Sequence, residues 1–193
     1  MEHYTASMKH NEDTIYRLSA TQYNVFGGWT KVILLLLSGI WIYLGTCSNM
    51  EYGLKLLCLM VGCFFVTGIN FPARWNAEKY LKQLNGKNLE TEYCFDENSF
   101  SFCAPGDKKH AADICYSKII RLVDDNRYIY LFLNKYGAYM LDKETLCPAD
   151  IDAFQAMLQE RTGLKWKKVK SKQRRNVAVP PSGTLLDKQN RLR

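Results

Sequence analysis

Cys103, His110 and Asp113 are the closest approach in this sequence to a nucleophile, base and acid set. A thiolate activated by an imidazole that a carboxylate orients would serve acyl transfer. The three flank the turn Pro105-Gly106-Asp107, with no nucleophile elbow or phosphate loop nearby, so they read as a surface loop. Asp124-Asp125 has the residue types of a cation site, yet hairpin-turn chemistry accounts for both. Asp142-Lys143-Glu144 reads as a strand-end charge cluster. His3, His10 and His110 have no partners at metal-ligand spacing, and the first two fall in an N-terminal segment that reads as mobile. Gly27-Gly28 lacks the strand and further glycines of a phosphate loop. The expectation is a non-enzyme with no catalytic residues, metal or cofactor.

The cysteines lead to the same place. There are seven and no C-x-x-C, which indicates neither a disulfide framework nor a zinc site. They read as reduced thiols facing a cytoplasm, with Cys58 and Cys63 inside an apolar run where a thiol acts as a small hydrophobe.

Charge singles out the C-terminus. The formal net charge is +7, but residues 161–193 hold eleven Lys/Arg against Asp187 alone. The rest of the chain carries a small acidic excess, which argues against a polycationic nucleic-acid domain. Lys165, Trp166, Lys167, Lys168, Lys170, Lys172, Arg174 and Arg175 form a basic stretch ahead of Pro180-Pro181-Ser182-Gly183. Each cation near an anionic leaflet is worth about 1 kcal/mol before screening. Anionic lipid headgroups are therefore the expected contact, with Trp166 dipping into the interface; a solvated, disordered tail is the alternative. Tyr128, Tyr130 and Phe132 have the types that stack bases, but their alternation makes them one face of a strand, for core or helix contact.

The elements that position these residues begin with two apolar runs. Val32–Thr46 has 15 residues without a charge, and Leu56–Phe71 has 16. Extension to Phe26 and to Tyr52 supplies the roughly 20 residues a bilayer crossing needs. Lys31 and Lys55 then lie near helix ends, where their stems can snorkel. Trp29 at one end and Trp41 with Tyr43 at the other suit interfacial belts. The connection Cys47-Ser48-Asn49-Met50-Glu51 is short enough to force an antiparallel hairpin. Ser38, Thr46, Thr67, Gly39, Gly62 and Gly68 are packing residues, and no mid-helix carboxylate or histidine marks an ion path. Lys9, Arg17, Lys31, Arg74, Lys79, Lys82 and Lys87 flank the hairpin's open end, so both termini are expected in the cytoplasm.

The remainder reads as a soluble α+β unit. Pro72 and Arg74 close the second run, and a juxtamembrane helix follows over 73–88. Strand patterns cover Leu89–Phe95, Phe100–Ala104, Ala112–Val123, Tyr128–Leu133 and Tyr136–Leu141. A helix then starts near Pro148, with Asp150 and Asp152 in its first turn, and stops at Gly163. The expected organisation is an N-terminal cytoplasmic segment 1–25, a transmembrane hairpin 26–72, the helix 73–88, a domain of about five antiparallel strands capped by a C-terminal helix over 89–162, and a basic tail 163–193.

The turn Asp96-Glu97-Asn98, then Tyr116-Ser117-Lys118-Ile119, Tyr128-Ile129-Tyr130-Leu131 and Tyr139-Met140-Leu141-Asp142-Lys143-Glu144, followed by a terminal helix, resemble the YcxB-like protein family over roughly residues 14–160. Asp142 stands where a proline is common there, and Leu146 where an aromatic is. The resemblance implies a bacterial membrane protein whose domain is similar to pleckstrin-homology folds, and it carries over no catalytic residue. The functional expectation is a cell-membrane protein with a cytoplasmic binding domain. The alternatives are an accessory or regulatory subunit of a membrane transport complex and a membrane-tethered nucleic-acid binder. The lipid bilayer and another membrane protein are the expected partners; nucleic acid is disfavoured, and the residues specify no homo-oligomer.

Overall fold

The structure is a computed structural model that describes residues 3–47, 49–84, 89–106 and 111–169. Its first element corrects the reading of residues 1–25 as a separate segment. Tyr4–His10 forms strand β1, burying Tyr4, Ala6 and Met8 on one face. It pairs antiparallel with β2 (Leu89–Phe95), from Tyr4 opposite Phe95 to His10 opposite Leu89. The two strands are thus a hairpin whose connection runs from residue 11 to residue 88. The long helices are an insertion between two neighbouring strands, and not an anchor placed ahead of an independent domain. Tyr4, Ala6 and Met8 do alternate with Thr5, Ser7 and Lys9, but the small Ala6 at the centre leaves the apolar signal weak, and the partner strand lies some eighty residues on.

Helix α1 (Glu12–Phe26) begins at a reciprocal cap. Asn11 Oδ1 accepts from the Thr14 N–H at 2.9 Å, and Thr14 Oγ1 accepts from the Asn11 N–H at 2.8 Å. Glu12 and Asp13 suit the positive end of the helix dipole. Helix α2 (Gly28–Cys47) follows directly. Helix α3 (Tyr52–Thr67) leads through a 3-10 turn at Gly68–Asn70 into α4 (Phe71–Leu84). Pro72 therefore sits in the first turn of a helix, where its missing N–H removes no bond. Two stretches are long and apolar enough to cross a membrane: Gly28–Cys47, and the continuous Tyr52–Leu84.

Helices α2 and α3 pack closely through small residues. Ser38 Oγ donates to the Gly62 carbonyl at 2.9 Å. A Cβ at Gly62 would lie 2.7 Å from Ile42 Cγ1, and one at Gly45 would lie 2.8 Å from Leu59 Cγ. Gly39 and Gly68, expected to help, meet nothing within 4 Å. Thr46 and Thr67 return their hydroxyls to their own helices, at the Ile42 and Cys63 carbonyls.

Strands β1, β2, β3 (Ser99–Cys103) and β4 (Ala112–Cys115) form one sheet in that order. The second has the order β7 (Ala138–Asp142), β6 (Tyr128–Phe132), β5 (Arg121–Asp124), β8 (Trp166–Lys168). All pairs are antiparallel except β5 with β8. The single strand expected over 112–123 is two strands in different sheets. A 3-10 turn at Tyr116–Lys118 bends the chain there, with Tyr116 buried and its hydroxyl donating to the Asp96 carbonyl at 2.8 Å. Thr5 exchanges both backbone hydrogen bonds with Cys147, so β1 also ties its own sheet to the segment after β7.

Helix α5 (Ile151–Thr162) is capped by Asp150, whose carboxylate accepts from the Ala153 N–H at 2.9 Å. It stops at Gly163, whose φ of 67° is the left-handed conformation glycine adopts without strain. Phe154 and Leu158 are fully buried in the core shared with Phe95, Phe100, Leu122 and Ile129. The opposite face of β6 is covered as well. Tyr128, Tyr130 and Phe132 are buried, and α1 lies over them, with the Phe26 ring edge-on to Phe132 at 5.2 Å. Helix α4 packs on α1 in turn and buries Ala73 and Ala77. Core or helix contact is therefore the use of that aromatic face, and bases cannot reach it.

Candidate functional site

The polar clusters singled out by type are occupied with one another. Lys143 Nζ lies 2.6 Å from Asp124 Oδ1 and donates to the Asp125 carbonyl at 2.6 Å, and the side chains of the ion pair are only 13% and 15% exposed. Arg127 reaches Asp142 Oδ2 at 2.9 Å and Glu144 Oε2 at 3.1 Å. Asp125 is buried and accepts from the Asn126 N–H at 2.7 Å, as a turn-initiating Asp does. Hairpin geometry thus brings Asp124-Asp125 onto Asp142-Lys143-Glu144, a pairing invisible in the separate motifs. Removing Lys143 leaves a largely buried carboxylate uncompensated. Lys143→Met is expected to cost about 2–4 kcal/mol, read as a lowered thermal midpoint, while Arg127→Met, at a half-exposed pair, costs under about 1 kcal/mol.

Of the cysteine set, Cys103 and Asp113 are among the described residues. Cys103 stands opposite Glu92 and Asp113 opposite Ser101, each on the outer face of the first sheet, and His110 lies outside the described residues. Among the described residues no three His, Cys, Asp or Glu side chains converge to hold a metal ion.

The junction of helices and sheets has more shape. The β6–β7 turn is held by Asn134, whose Oδ1 accepts from the N–H groups of Tyr136 and Gly137 at 2.7 Å. Gln22 of α1 donates to the Lys135 carbonyl, and Tyr80 of α4 donates to the Tyr136 carbonyl at 3.0 Å. Both helices that continue into the apolar hairpin thus grip one turn of the second sheet. Below it lies a cavity of about 280 Å³, lined by His10, Leu18, Gln22, Tyr80, Leu84 and Leu89 among others.

His10 ends β1 and is partly buried where it lines this cavity. Burial pushes its imidazole below the usual histidine range. The folded chain therefore favours the neutral ring, and the resulting stability is complete above about pH 6.5 and lost as pH falls through the lowered value. The thermal midpoint is expected to fall below pH 6.5 more steeply for the native chain than for His10→Gln, measured by melting across that range.

The predicted lipid-contact residues divide. Lys170, Lys172, Arg174 and Arg175 lie outside the described residues. Lys165 to Lys168 are not a tail: Trp166–Lys168 is β8, and Val169 continues it with a backbone bond to the Asp124 carbonyl at 2.8 Å. Trp166 packs against the core and donates its indole N–H to the Gln155 carbonyl at 3.0 Å, so it does not dip into lipid. The misreading has a physical cause. An edge strand bonded on one side keeps its charges in water, and only a partner strand tells it from a disordered run.

Register decides where those lysines point. Lys167 is opposite Val123, and Val123 opposite Tyr130, on the face that carries α1. Alternation puts Lys165 and Arg121 on the same side. Arg121 lies over the Phe26 ring at 5.1 Å and donates to the Val25 carbonyl at 3.2 Å, at the end of α1. Lys31, in the first turn of α2, bonds Asn24 Oδ1 at 2.6 Å and is within electrostatic reach of Lys167. Sequence reading ranked neither Lys31 nor Arg121 with the tail, since they are about 40 or more positions away from it.

Residues 95–158 match the model of the YcxB-like protein family. The match runs from the end of β2 through most of α5, a shorter stretch than the resemblance read from the motifs, and leaves α1 to α4 outside. No curated protein and no solved structure matches the chain.

Proposed function

We propose that the chain is a membrane-anchored, non-enzymatic protein, in which α2 and α3 cross the bilayer as a hairpin and hold the double-sheet domain against the cytoplasmic leaflet as a binding module. The observation that carries this is the outward aim of the apolar side chains. A core helix of a soluble protein hides its apolar stripe. Here Leu36, Met60 and Phe64 are 63%, 63% and 71% exposed, and only 11% and 17% of the two apolar windows is buried. Hydrocarbon is the solvent in which such a surface is stable. Ser38 meanwhile satisfies its hydroxyl across the hairpin, as a polar group in lipid must.

The two ends of the hairpin emerge together because β1 and β2 are adjacent. Arg17, Lys31, Arg74, Lys79 and Lys82 cluster at that end and Glu51 lies at the tip, which by positive-inside logic sets the domain in the cytoplasm. Two four-stranded sheets closed by a C-terminal helix support the pleckstrin-homology-like reading of the domain. The non-enzymatic reading draws on Asp124, Asp142 and Glu144 being taken up by Lys143 and Arg127. The binding surface we favour is basic and meets anionic lipid.

Exposed cysteines provide the test. Cys47 ends α2 at the hairpin tip, and Cys115 and Cys147 lie in the domain. In single-cysteine variants of intact cells, a membrane-impermeant maleimide is expected to label Cys47, and to label Cys115 and Cys147 only after permeabilisation. Labelling of Cys115 in intact cells would reverse the orientation, and release of the protein by alkaline carbonate would reject the span itself.

A further inference from the structure

The C-terminal edge of the second sheet lies near the start of α2, and the charged side chains that β8, α2 and Arg121 bring there among the described residues are positive. Lys165 and Lys167 are exposed on the α1-bearing face of that sheet. Arg121 lies on the same face, fastened to the end of α1. Lys31 comes from α2 and is held by Asn24 and by the face of the Tyr23 ring at 4.9 Å. The nearby carboxylates of the elements that build the patch are engaged elsewhere: Asp13, at the start of α1, pairs with Arg17, and Asp124, on the other face of β5, pairs with Lys143. Four cations with no ion pair among the described residues repel one another, which is tolerable only in contact with water or with an anion. The patch also borders an apolar wall: Val32, next to Lys31, is 46% exposed, and Leu35, one turn further along α2, is 52% exposed.

We infer that Lys31, Lys165 and Lys167, supported by the charge of Arg121, form a site for the phosphate group of an anionic phospholipid whose acyl chains lie along α2. This rests on the reading of α2 as a membrane span. Lipid is the occupant because the cationic patch and the exposed apolar face are contiguous, matching the join of headgroup and acyl chain. A soluble phosphate would use only the first of these. The site lies at the junction itself, so a bound headgroup would tie β8 to α2 and set the rotation of the sheets about the anchor.

The test uses the full-length protein in non-ionic detergent, titrated with dihexanoyl phosphatidylglycerol, dihexanoyl phosphatidylcholine and inorganic phosphate, with the rise in thermal midpoint as readout. The phosphatidylglycerol is expected to stabilise, and the other two to do little at equal concentration. Each Lys→Gln substitution at 31, 165 and 167 should weaken the apparent affinity roughly fivefold. Truncation after Val169 should leave it within about twofold. Binding unchanged in the triple Lys→Gln variant, or abolished by the truncation, would overturn the site, and equal stabilisation by inorganic phosphate would reject lipid as its occupant. Lys167→Gln alone, at an exposed position, serves if the triple variant melts early without lipid. Flotation with liposomes after alkaline wash reads insertion independently, so a failed span and a failed headgroup site give different results.

Discussion

Excision of residues 28–71, with Gly27 joined to Pro72 by a short Gly/Ser linker, is expected to give a protein that stays in solution without detergent and keeps both sheets. The helices removed present apolar side chains outward and make no part of the sheet core. The parts of the insertion that the sheets need are α1 and α4, and these remain. Excising 11–88 and closing β1 to β2 by a tight turn should fail. That cut strips α1 from Tyr128, Tyr130 and Phe132, which are 5%, 0% and 0% exposed. Three aromatics each bury about 150–250 Å², so at about 25 cal/mol per Å² the loss is on the order of 10 kcal/mol, as large as the whole stability of a typical domain. Size-exclusion chromatography and amide exchange of the two variants check this. A soluble, protected 11–88 deletion would mean that α1 is a passenger.

Phe154→Ala is the point substitution expected to cost most in the sheet domain, about 3–5 kcal/mol. The ring is 0% exposed and lies edge-on to Phe95 at 4.9 Å and tilted against Tyr4 at 5.2 Å. Its loss opens a cavity among β1, β2 and α5 at once. Chemical denaturation of the native and variant chains in detergent reads the difference. Phe64→Ala is the control: 71% exposed on α3, it should shift the midpoint little under the same conditions.

Both outcomes bear on how an anchor can transmit position. An anchor joined by a flexible linker leaves its domain free to tumble. Here the apolar hairpin leaves and re-enters through adjacent strands, α1 lies flat on the second sheet, and Gln22 and Tyr80 bond the β6–β7 turn. Any tilt of the hairpin is therefore transmitted to β6 and β7. On the proposed function, a module mounted this way would present one fixed face to the leaflet, with β8 on the side toward it.

Much of the architecture was legible in residue order alone. Two charge-free runs with only residues 47–55 between them announce an apolar hairpin, because neither is interrupted by a polar stripe at helical period. Asp150 ahead of an Ile/Phe/Met/Leu stripe and Gly163 behind it define α5, because caps are local chemistry. The alternation in Leu89–Phe95 and Tyr128–Phe132 defines strands for the same reason. The turn reading of Asp124-Asp125 was also local, since Asp125 accepts from the N–H of the next residue, Asn126.

What residue order did not contain was partnership across distance. β1 is recognisable only by its pairing with β2, some eighty residues on, and that pairing turned an N-terminal anchor into an insertion. The bend at Tyr116 depends on an acceptor at Asp96, and it split one expected strand between two sheets. Trp166 to Lys168 became β8 because β5 had a free edge to offer. The same pairing withdrew Trp166 from the interface and set Lys167 near Lys31. Local propensity and period act over a few residues, whereas hydrogen bonding along a strand edge and the convergence of like charges are decided by chain closure. The tertiary structure alone therefore determined which of the basic residues can face an anion together.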